Sequence, residues 1–146
     1  MISQYDVISN QNFPNKKMFS LTKKHLQSPY QHPISLTQQH IFDEITAAVP
    51  SNKGDKLILD SGCGTGMSTK ILSEKYPDYF VIGLDKSQNR LSRNIDFNGH
   101  SHYKINDNAI LARANLIDFW FLSEKNNIKF SKHTLFYPNP WPKSKH

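Results

Sequence analysis

The feature that most constrains this fold is a short apolar run that leads directly into a glycine-rich loop. Residues 57–59 are Leu-Ile-Leu, Asp60 follows, and Gly62, Gly64 and Gly66 then occur at alternate positions. Such a run is typical of a strand buried on both faces, as in a parallel sheet covered by helices on each side. Glycines let the following backbone turn sharply and approach a ligand closely. The pattern predicts a strand–loop–helix unit of an open α/β fold, with Asp60 at the ligand-binding edge.

The glycine spacing and the neighbouring acid narrow the class of ligand. The loop lacks the Gly-Lys-Ser/Thr ending of a nucleoside-triphosphate loop, and its G-x-G-x-G spacing differs from that of a dinucleotide-binding loop. A carboxylate at Asp60 would repel a pyrophosphate, but it suits the ammonium group of an amino-acid moiety. The interpretation without a ligand is a tight strand-to-helix turn.

The loop and a second acid together resemble the S-adenosylmethionine site of class I methyltransferases. The residues that carry the resemblance are Asp60-Ser-Gly-Cys-Gly-Thr-Gly66 and, after a second apolar run, Gly83-Leu-Asp85. The resemblance implies that Asp85 holds the ribose hydroxyls of the cofactor, because a carboxylate can accept two hydroxyl donors. It also implies that the methionine end is lined by Asp60, Gly62, Gly64 and Gly66.

The rest of the chain alternates predicted strands with predicted helices. A helix is expected over 37–49, with Thr37 as its cap and its apolar side on the sheet. We predict strands at 57–60, 79–84, 108–113 and 133–137, helices at 66–75, 87–94 and 116–123, and a polar connector at 97–102. This order favours right-handed crossovers and a parallel sheet. The fold class is therefore α/β, the N-terminal part of a Rossmann-like class I methyltransferase fold with about four parallel strands and flanking helices.

The closing segment resembles a more specific signature. Tyr137-Pro-Asn-Pro-Trp-Pro-Lys143-Ser-Lys-His146 is similar to the Phe-Pro-Asp-Pro-Trp-x-Lys-x-x-His pattern of tRNA (guanine-N7)-methyltransferases. The resemblance implies methyl transfer from S-adenosylmethionine to N7 of a guanine in tRNA. It places Asn139 at the catalytic or guanine-binding position, Lys143 at a substrate-contacting position, and Asn115 with the backbone around Leu116 at the adenine. Asn115 and Asn139 are amides where the family pattern usually has acids.

The net charge predicts an anionic partner, and the chain is divided into a basic N-terminal arm and one domain. The 146 residues carry a formal net charge of +6, which favours a polyanion such as tRNA. Residues 1–36 form a basic N-terminal arm, and residues 37–146 form a partial S-adenosylmethionine-binding domain. The arm is either a solvated extension, an RNA-backbone contact or a flap over the cofactor. A complete class I sheet has seven strands, so the resemblance also implies a chain shortened at its C-terminal end.

Other features exclude several classes of site. Cys63 is the single cysteine, so neither a disulfide framework nor a cysteine-based metal site is expected. His100 and His102 are interpreted as loop residues rather than metal ligands. The sequence predicts a cytoplasmic protein with no membrane span and no metal, and it leaves the oligomeric state open. Two alternative functions are a non-catalytic basic RNA-binding remnant and a methyltransferase with a different substrate.

Overall fold

The computed structural model describes residues 17–28, 32–93 and 101–136. Helix α1 (Lys17–Gln27) belongs to one compact unit, and all other described elements belong to a second unit that begins at Pro33. The elements of the second unit, in chain order, are α2 (Leu36–Ala47), a 3-10 turn (Ser51–Lys53), β1 (Leu57–Ser61), α3 (Met67–Lys75), β2 (Phe80–Asp85), α4 (Gln88–Leu91), β3 (His102–Asn106), β4 (Ala109–Arg113), α5 (Leu116–Lys125) and β5 (Lys132–Thr134).

The strands of the second unit form one sheet in the order β3-β4-β2-β1-β5. The pairs β1–β2, β1–β5 and β2–β4 are parallel, and β3 pairs with β4 in the antiparallel direction. The predicted α/β, Rossmann-like fold is confirmed, with four parallel strands as expected. The structure adds a fifth strand, the antiparallel β3; its first residue, His102, was predicted to lie in a connector, and its other residues were assigned to no element.

Both faces of the central strands are covered, which explains their continuous apolar sequences. Every residue of β1 and β2 is buried. On one face, α2 and α5 pack over the sheet, with Phe42 and Phe119 at 5.2 Å between ring centroids. On the other face, Leu72 of α3 packs against Ile58 and neighbouring strand residues. A chain with this core must carry its polar ligand-binding groups at the strand ends.

Strand β3, which the sequence did not predict, is positioned by a turn that is hydrogen-bonded to α3. The Asn108 side-chain amide donates to the backbone oxygens of Ser73, at 3.0 Å, and Tyr79, at 3.1 Å. Asn106 donates to the Ser73 hydroxyl at 2.8 Å. These bonds direct the chain antiparallel to β4, although β3 itself is only partly buried and lacks an apolar pattern. Pairing rather than side-chain periodicity therefore decides this strand.

The start of α2 and the end of β5 also differ from the prediction. Helix α2 begins one residue earlier than expected, because Ser35, not Thr37, is its N-cap and accepts from the Gln38 N–H at 3.2 Å. Strand β5 ends at Thr134, short of the predicted 133–137, and Leu135 and Phe136 after it are about half exposed. Apolar character alone did not mark where pairing with β1 ends.

Helix α1 contributes no buried residue. Its Phe19 and Leu26 side chains are 70% and 83% exposed, and Lys23 and Lys24 are also exposed. This composition gives the helix apolar and basic surface at once. In the part of the chain that the structure describes, every helix is too short or too polar to cross a membrane.

Candidate functional site

The glycine-rich loop joins the carboxyl end of β1 to α3, and its conformation explains the three glycines. Gly62, Gly64 and Gly66 have φ angles of 72°, 61° and 86°, in the left-handed region that favours glycine. The N–H groups of Gly62 and Cys63 both donate to the Leu84 carbonyl, at 2.7 and 2.9 Å. The loop is therefore held against the end of β2.

Two of these glycines meet different surroundings. A Cβ on Gly66 would overlap the Leu111 side chain, lying 2.8 Å from Cδ2. A Cβ on Gly64 would meet no atom within 4 Å. Gly66 is thus required for packing as well as for its φ angle, whereas Gly64 borders open space. The side of the loop that a ligand can approach is at Gly64.

Asp60 ends the apolar part of β1 and is fully buried. Its Oδ2 accepts from the hydroxyls of Ser68, at 2.6 Å, and Thr69, at 2.8 Å, and its Oδ1 accepts from the Thr134 hydroxyl at 3.0 Å. Hydrogen bonds to an ionised carboxylate are strong, and three of them offset much of the cost of burial. Asp60 consequently ties β1 to the first turn of α3 and to β5. Its role at the methionine end remains a prediction.

Asp85 lies at the end of β2, beside the loop, and is 3% exposed. Its Oδ2 accepts from the Gly64 N–H at 3.0 Å, and its Oδ1 accepts from the Ser87 N–H at 2.8 Å. The Arg90 guanidinium lies 3.6 Å from Oδ2. The two predicted acids therefore stand at the ends of adjacent parallel strands, where Asp60 pairs with Gly83 in register.

Asn115 follows β4 and caps α5. Its Oδ1 accepts from the N–H groups of Ile117, at 3.0 Å, and Asp118, at 3.3 Å, and its own N–H donates to Gln38 Oε1 at 3.0 Å. Leu116, the next residue, packs against the core under α2 and α5. The side-chain oxygen of Asn115 thus already accepts two hydrogen bonds from the first turn of α5. Contact of Asn115 and Leu116 with an adenine remains a prediction.

The structure brings together groups that the sequence analysis did not assign to the site. Thr134 reaches Asp60 only because β5 pairs beside β1, so no local pattern marks it. Ser61 is a second example, since its hydroxyl lies 2.8 Å from His133 Nε2 and accepts from Trp120 Nε1 at 3.1 Å. The hydroxyls of Ser68 and Thr69 could have been predicted from the sequence, because both residues lie in the first helical turn after the glycine loop.

Asn139 and Lys143, with the rest of the closing segment 137–146, lie outside the described residues. Their predicted catalytic and substrate-binding roles therefore stay predictions. Among the residues that are described, no group of three His, Cys, Asp or Glu side chains forms a candidate metal site.

Two grooves lie at different places on the fold. One, of about 260 Å³, adjoins the glycine loop and is lined by Thr65, Gly66, Met67, Lys70, Tyr103, Ile105 and Leu111. A larger one, of about 360 Å³, lies near the start of β1 and is lined by residues such as Leu57, Phe119 and Phe130. Neither groove is lined by Asp60 or Asp85, so the glycine loop and the strand ends, rather than a groove, locate the site expected from the sequence.

Cys63, inside the loop, is a buried thiol rather than a nucleophile. Burial, followed by the negative charges of Asp60 and Asp85, raises the pKa of Cys63 from 9.0 to about 12. The neutral thiol therefore persists at physiological pH, and thiols react as thiolates. This agrees with the interpretation of Cys63 as a small side chain that packs in the loop.

The raised pKa of Cys63 predicts a loss of stability in alkali. The folded state keeps the proton above pH 9, where the unfolded chain loses it, so the contribution is complete below about pH 9 and declines as pH rises toward 12. In this window the free energy of unfolding should fall about 1.4 kcal/mol per pH unit faster in the wild type than in Cys63→Ala. Urea unfolding at several alkaline pH values measures both slopes. Equal slopes would contradict the buried thiol.

Comparisons with known proteins agree on the class of chemistry. Residues 54–146 match the model of the family described as "Putative methyltransferase". A shorter match joins the chain to the trans-aconitate 2-methyltransferase of Methylobacterium radiotolerans, with 46% identity over 44 residues. This match covers 30% of the chain and 16% of that relative, so the chain spans a small part of the relative's length. No solved structure matches.

Proposed function

This chain belongs to the methyltransferase family whose model matches residues 54–146, and we propose that it transfers a methyl group from S-adenosylmethionine to N7 of a guanine in tRNA. The family supports methyl transfer and implies a methyl donor. The choice of S-adenosylmethionine follows the loop and its two acids. The choice of tRNA follows the closing segment 137–146 and the net charge of +6.

The observation that carries the proposal is the arrangement of the two acids around the loop. Asp60 and Asp85 end adjacent parallel strands, and the loop between β1 and α3 is bonded to Asp85 through the Gly64 N–H. Ligands of open α/β sheets bind outside the carboxyl ends of the strands. An amino acid joined to a nucleoside offers an ammonium group and a ribose diol, which suit two carboxylates placed in this way.

The residues present fit this cofactor. Gly64 borders open space, so a ligand can approach the loop backbone there. A carboxylate has about four acceptor positions, and Asp60 uses three of its own for hydroxyls. Asp85 is also engaged, but Arg90 is 62% exposed and lies at 3.6 Å, so it can yield its place to a hydroxyl. When bound, S-adenosylmethionine supplies a methyl group attached to a positively charged sulfur.

The chain needs no general base for this reaction. Guanine N7 has an exposed lone pair and carries no proton, so the protein contributes alignment and electrostatic stabilisation. In the proposal Asn139 orients the guanine through its amide, which accepts and donates but brings no negative charge. Lys143 contacts the anionic substrate. The amides at 115 and 139 are therefore compatible with turnover.

A thermal melt with S-adenosylhomocysteine tests cofactor binding. A ligand present at about a hundred times its dissociation constant adds roughly 2.7 kcal/mol to the stability of the protein that binds it. We expect a cooperative transition that moves upward by several degrees. The Asp85→Asn variant should show a smaller shift, since it loses the charge that accepts the ribose hydroxyls. A wild-type melting temperature that is the same with and without the ligand would contradict the cofactor assignment.

The reaction is tested by incubating the protein with tritiated S-adenosylmethionine and bulk tRNA, and then digesting the tRNA to identify 7-methylguanine.

A second candidate function, RNA binding without catalysis, is favoured by α1, which carries Lys17, Lys23 and Lys24, no acid and no buried residue. That function predicts tRNA affinity that falls steeply with salt and no methyl transfer. Methylation of another substrate alone would refute the tRNA specificity.

A further inference from the structure

Two lysines converge on one tyrosine ring at the amino-terminal ends of the parallel strands. The Lys132 ammonium lies 5.1 Å from the centre of the Tyr76 ring, and the Lys75 ammonium lies 5.5 Å from it. Both distances are within the range of a cation–π interaction. Lys75 ends α3 and Lys132 begins β5, so only the tertiary structure brings the two charges together. We call these three residues the lysine–tyrosine surface.

The Tyr76 ring is held in place by the end of α3. Tyr76 is the C-cap of this helix, and its N–H donates to the Leu72 carbonyl at 2.9 Å. Its own carbonyl accepts from the Tyr79 N–H at 3.0 Å, and the two tyrosine rings lie 5.9 Å apart between centroids. The half-buried Tyr76 side chain also packs against the apolar cluster between α3 and the sheet. A ring fixed in this way loses little entropy when a ligand contacts it.

The two lysines are exposed and are not used in ion pairs within the part of the chain that the structure describes. There, neither Lys75 nor Lys132 has a carboxylate within ion-pair distance. The helix dipole favours a lysine at the end of α3, but it gives no reason for one at the start of β5. Two ammonium groups beside one ring repel each other, and a bound anion reduces that repulsion. The arrangement therefore favours an anionic partner.

The lysine–tyrosine surface lies at the opposite end of α3 from the glycine loop. Helix α3 begins at Met67, directly after the loop, and its 9 residues give it a length of about 13 Å. A small substrate at the loop does not extend over that distance, whereas a macromolecule does. Nucleic acids present repeated phosphates, and their bases stack on aromatic rings. The combination of two lysines with a ring thus favours a nucleic acid over an acidic peptide, which has no bases.

We propose that the lysine–tyrosine surface is a second contact between this chain and tRNA, remote from the reacting guanine. Lys75 and Lys132 bind phosphates of the RNA backbone, and Tyr76 contacts an adjacent base. The inference rests on the proposed function, since it takes tRNA as the substrate. Phosphate contacts fix the position of a nucleic acid without reading its sequence. The surface therefore holds the body of the tRNA, and recognition of the guanine is left to the loop edge.

The affinity of the full chain for fluorescently labelled bulk tRNA, measured at several salt concentrations, tests this assignment. Each lysine that neutralises a phosphate adds about 0.7–0.9 to the slope of log affinity against log salt. Lys75→Gln and Lys132→Gln should each lower the slope by about this amount and weaken binding about threefold or more at low salt. Lys132→Arg should keep the wild-type slope, because it keeps the charge. Tyr76→Leu should weaken binding at an unchanged slope, because the ring carries no charge.

The matched control is Lys104→Gln, which removes one positive charge from β3, where Lys104 is paired with Asp107 at 2.8 Å. It should keep the wild-type slope. An unchanged slope in either Lys75→Gln or Lys132→Gln, or an equal loss in Lys104→Gln, would overturn the assignment and leave the proposed function standing. Equally tight binding of polyglutamate would point to an acidic protein partner and would also overturn it. Failure of the wild type to bind tRNA at any salt concentration would overturn both.

Discussion

Gly66→Ala is expected to destabilise the fold by about 3 kcal/mol or more. The residue has a φ angle of 86°, where a side chain costs about 1–2 kcal/mol. Its Cβ would also overlap the Leu111 side chain, which packs in the core with Cys63 and Leu91. Overpacking of this kind adds about 1–3 kcal/mol. The loss should appear as a lower urea midpoint with an unchanged slope.

Gly64→Ala is the matched control, because it has the same chemistry and a similar φ angle of 61° but no atom within 4 Å of the new Cβ. It should carry only the conformational cost of about 1–2 kcal/mol. The difference between the two variants isolates the contact with Leu111. Equal urea midpoints for the two would show that Gly66 does not pack as described. If Gly64 also faces the cofactor, its variant should lose more ligand affinity than stability.

Asp60→Ala is expected to lower the free energy of unfolding by about 3 kcal/mol. The change removes the acceptor of three hydroxyls, of which that of Thr69 is buried and those of Ser68 and Thr134 are partly buried. Loss of a buried charged partner typically costs 3–5 kcal/mol when its partner is an ion and about 1–3 kcal/mol for a neutral donor. The hydroxyls are neutral, but several are affected at once. Urea unfolding measures the effect.

Asp78→Ala provides the control for that measurement, since Asp78 lies in an exposed turn before β2. It should change stability by less than about 0.5 kcal/mol. The response to S-adenosylhomocysteine separates the two roles of Asp60. A variant that folds but gives no shift would support its place at the methionine end, and a full shift would restrict Asp60 to joining β1, α3 and β5.

The core strands were predictable because their physical cause is local. Strands buried on both faces have continuous apolar runs, as in β1 and β2, and the glycines mark a turn that other residues rarely adopt. Strand β3 was not predictable in the same way. Its partner is β4, and the turn between them is fixed by Asn106 and Asn108 bonding to α3. The pattern of residues 102–106 does not predict those hydrogen bonds.

The same division applies to the site. The two apolar runs by themselves determined that Asp60 and Asp85 lie at the ends of buried strands, because each run ends at one of these acids. Only the tertiary structure decided which donors reach each acid. Thr134 meets Asp60, and Gln38 accepts the Asn115 N–H, through pairings across 74 and 77 positions of the chain. Such contacts depend on how distant strands and helices pack, and a local pattern of residues does not contain that information.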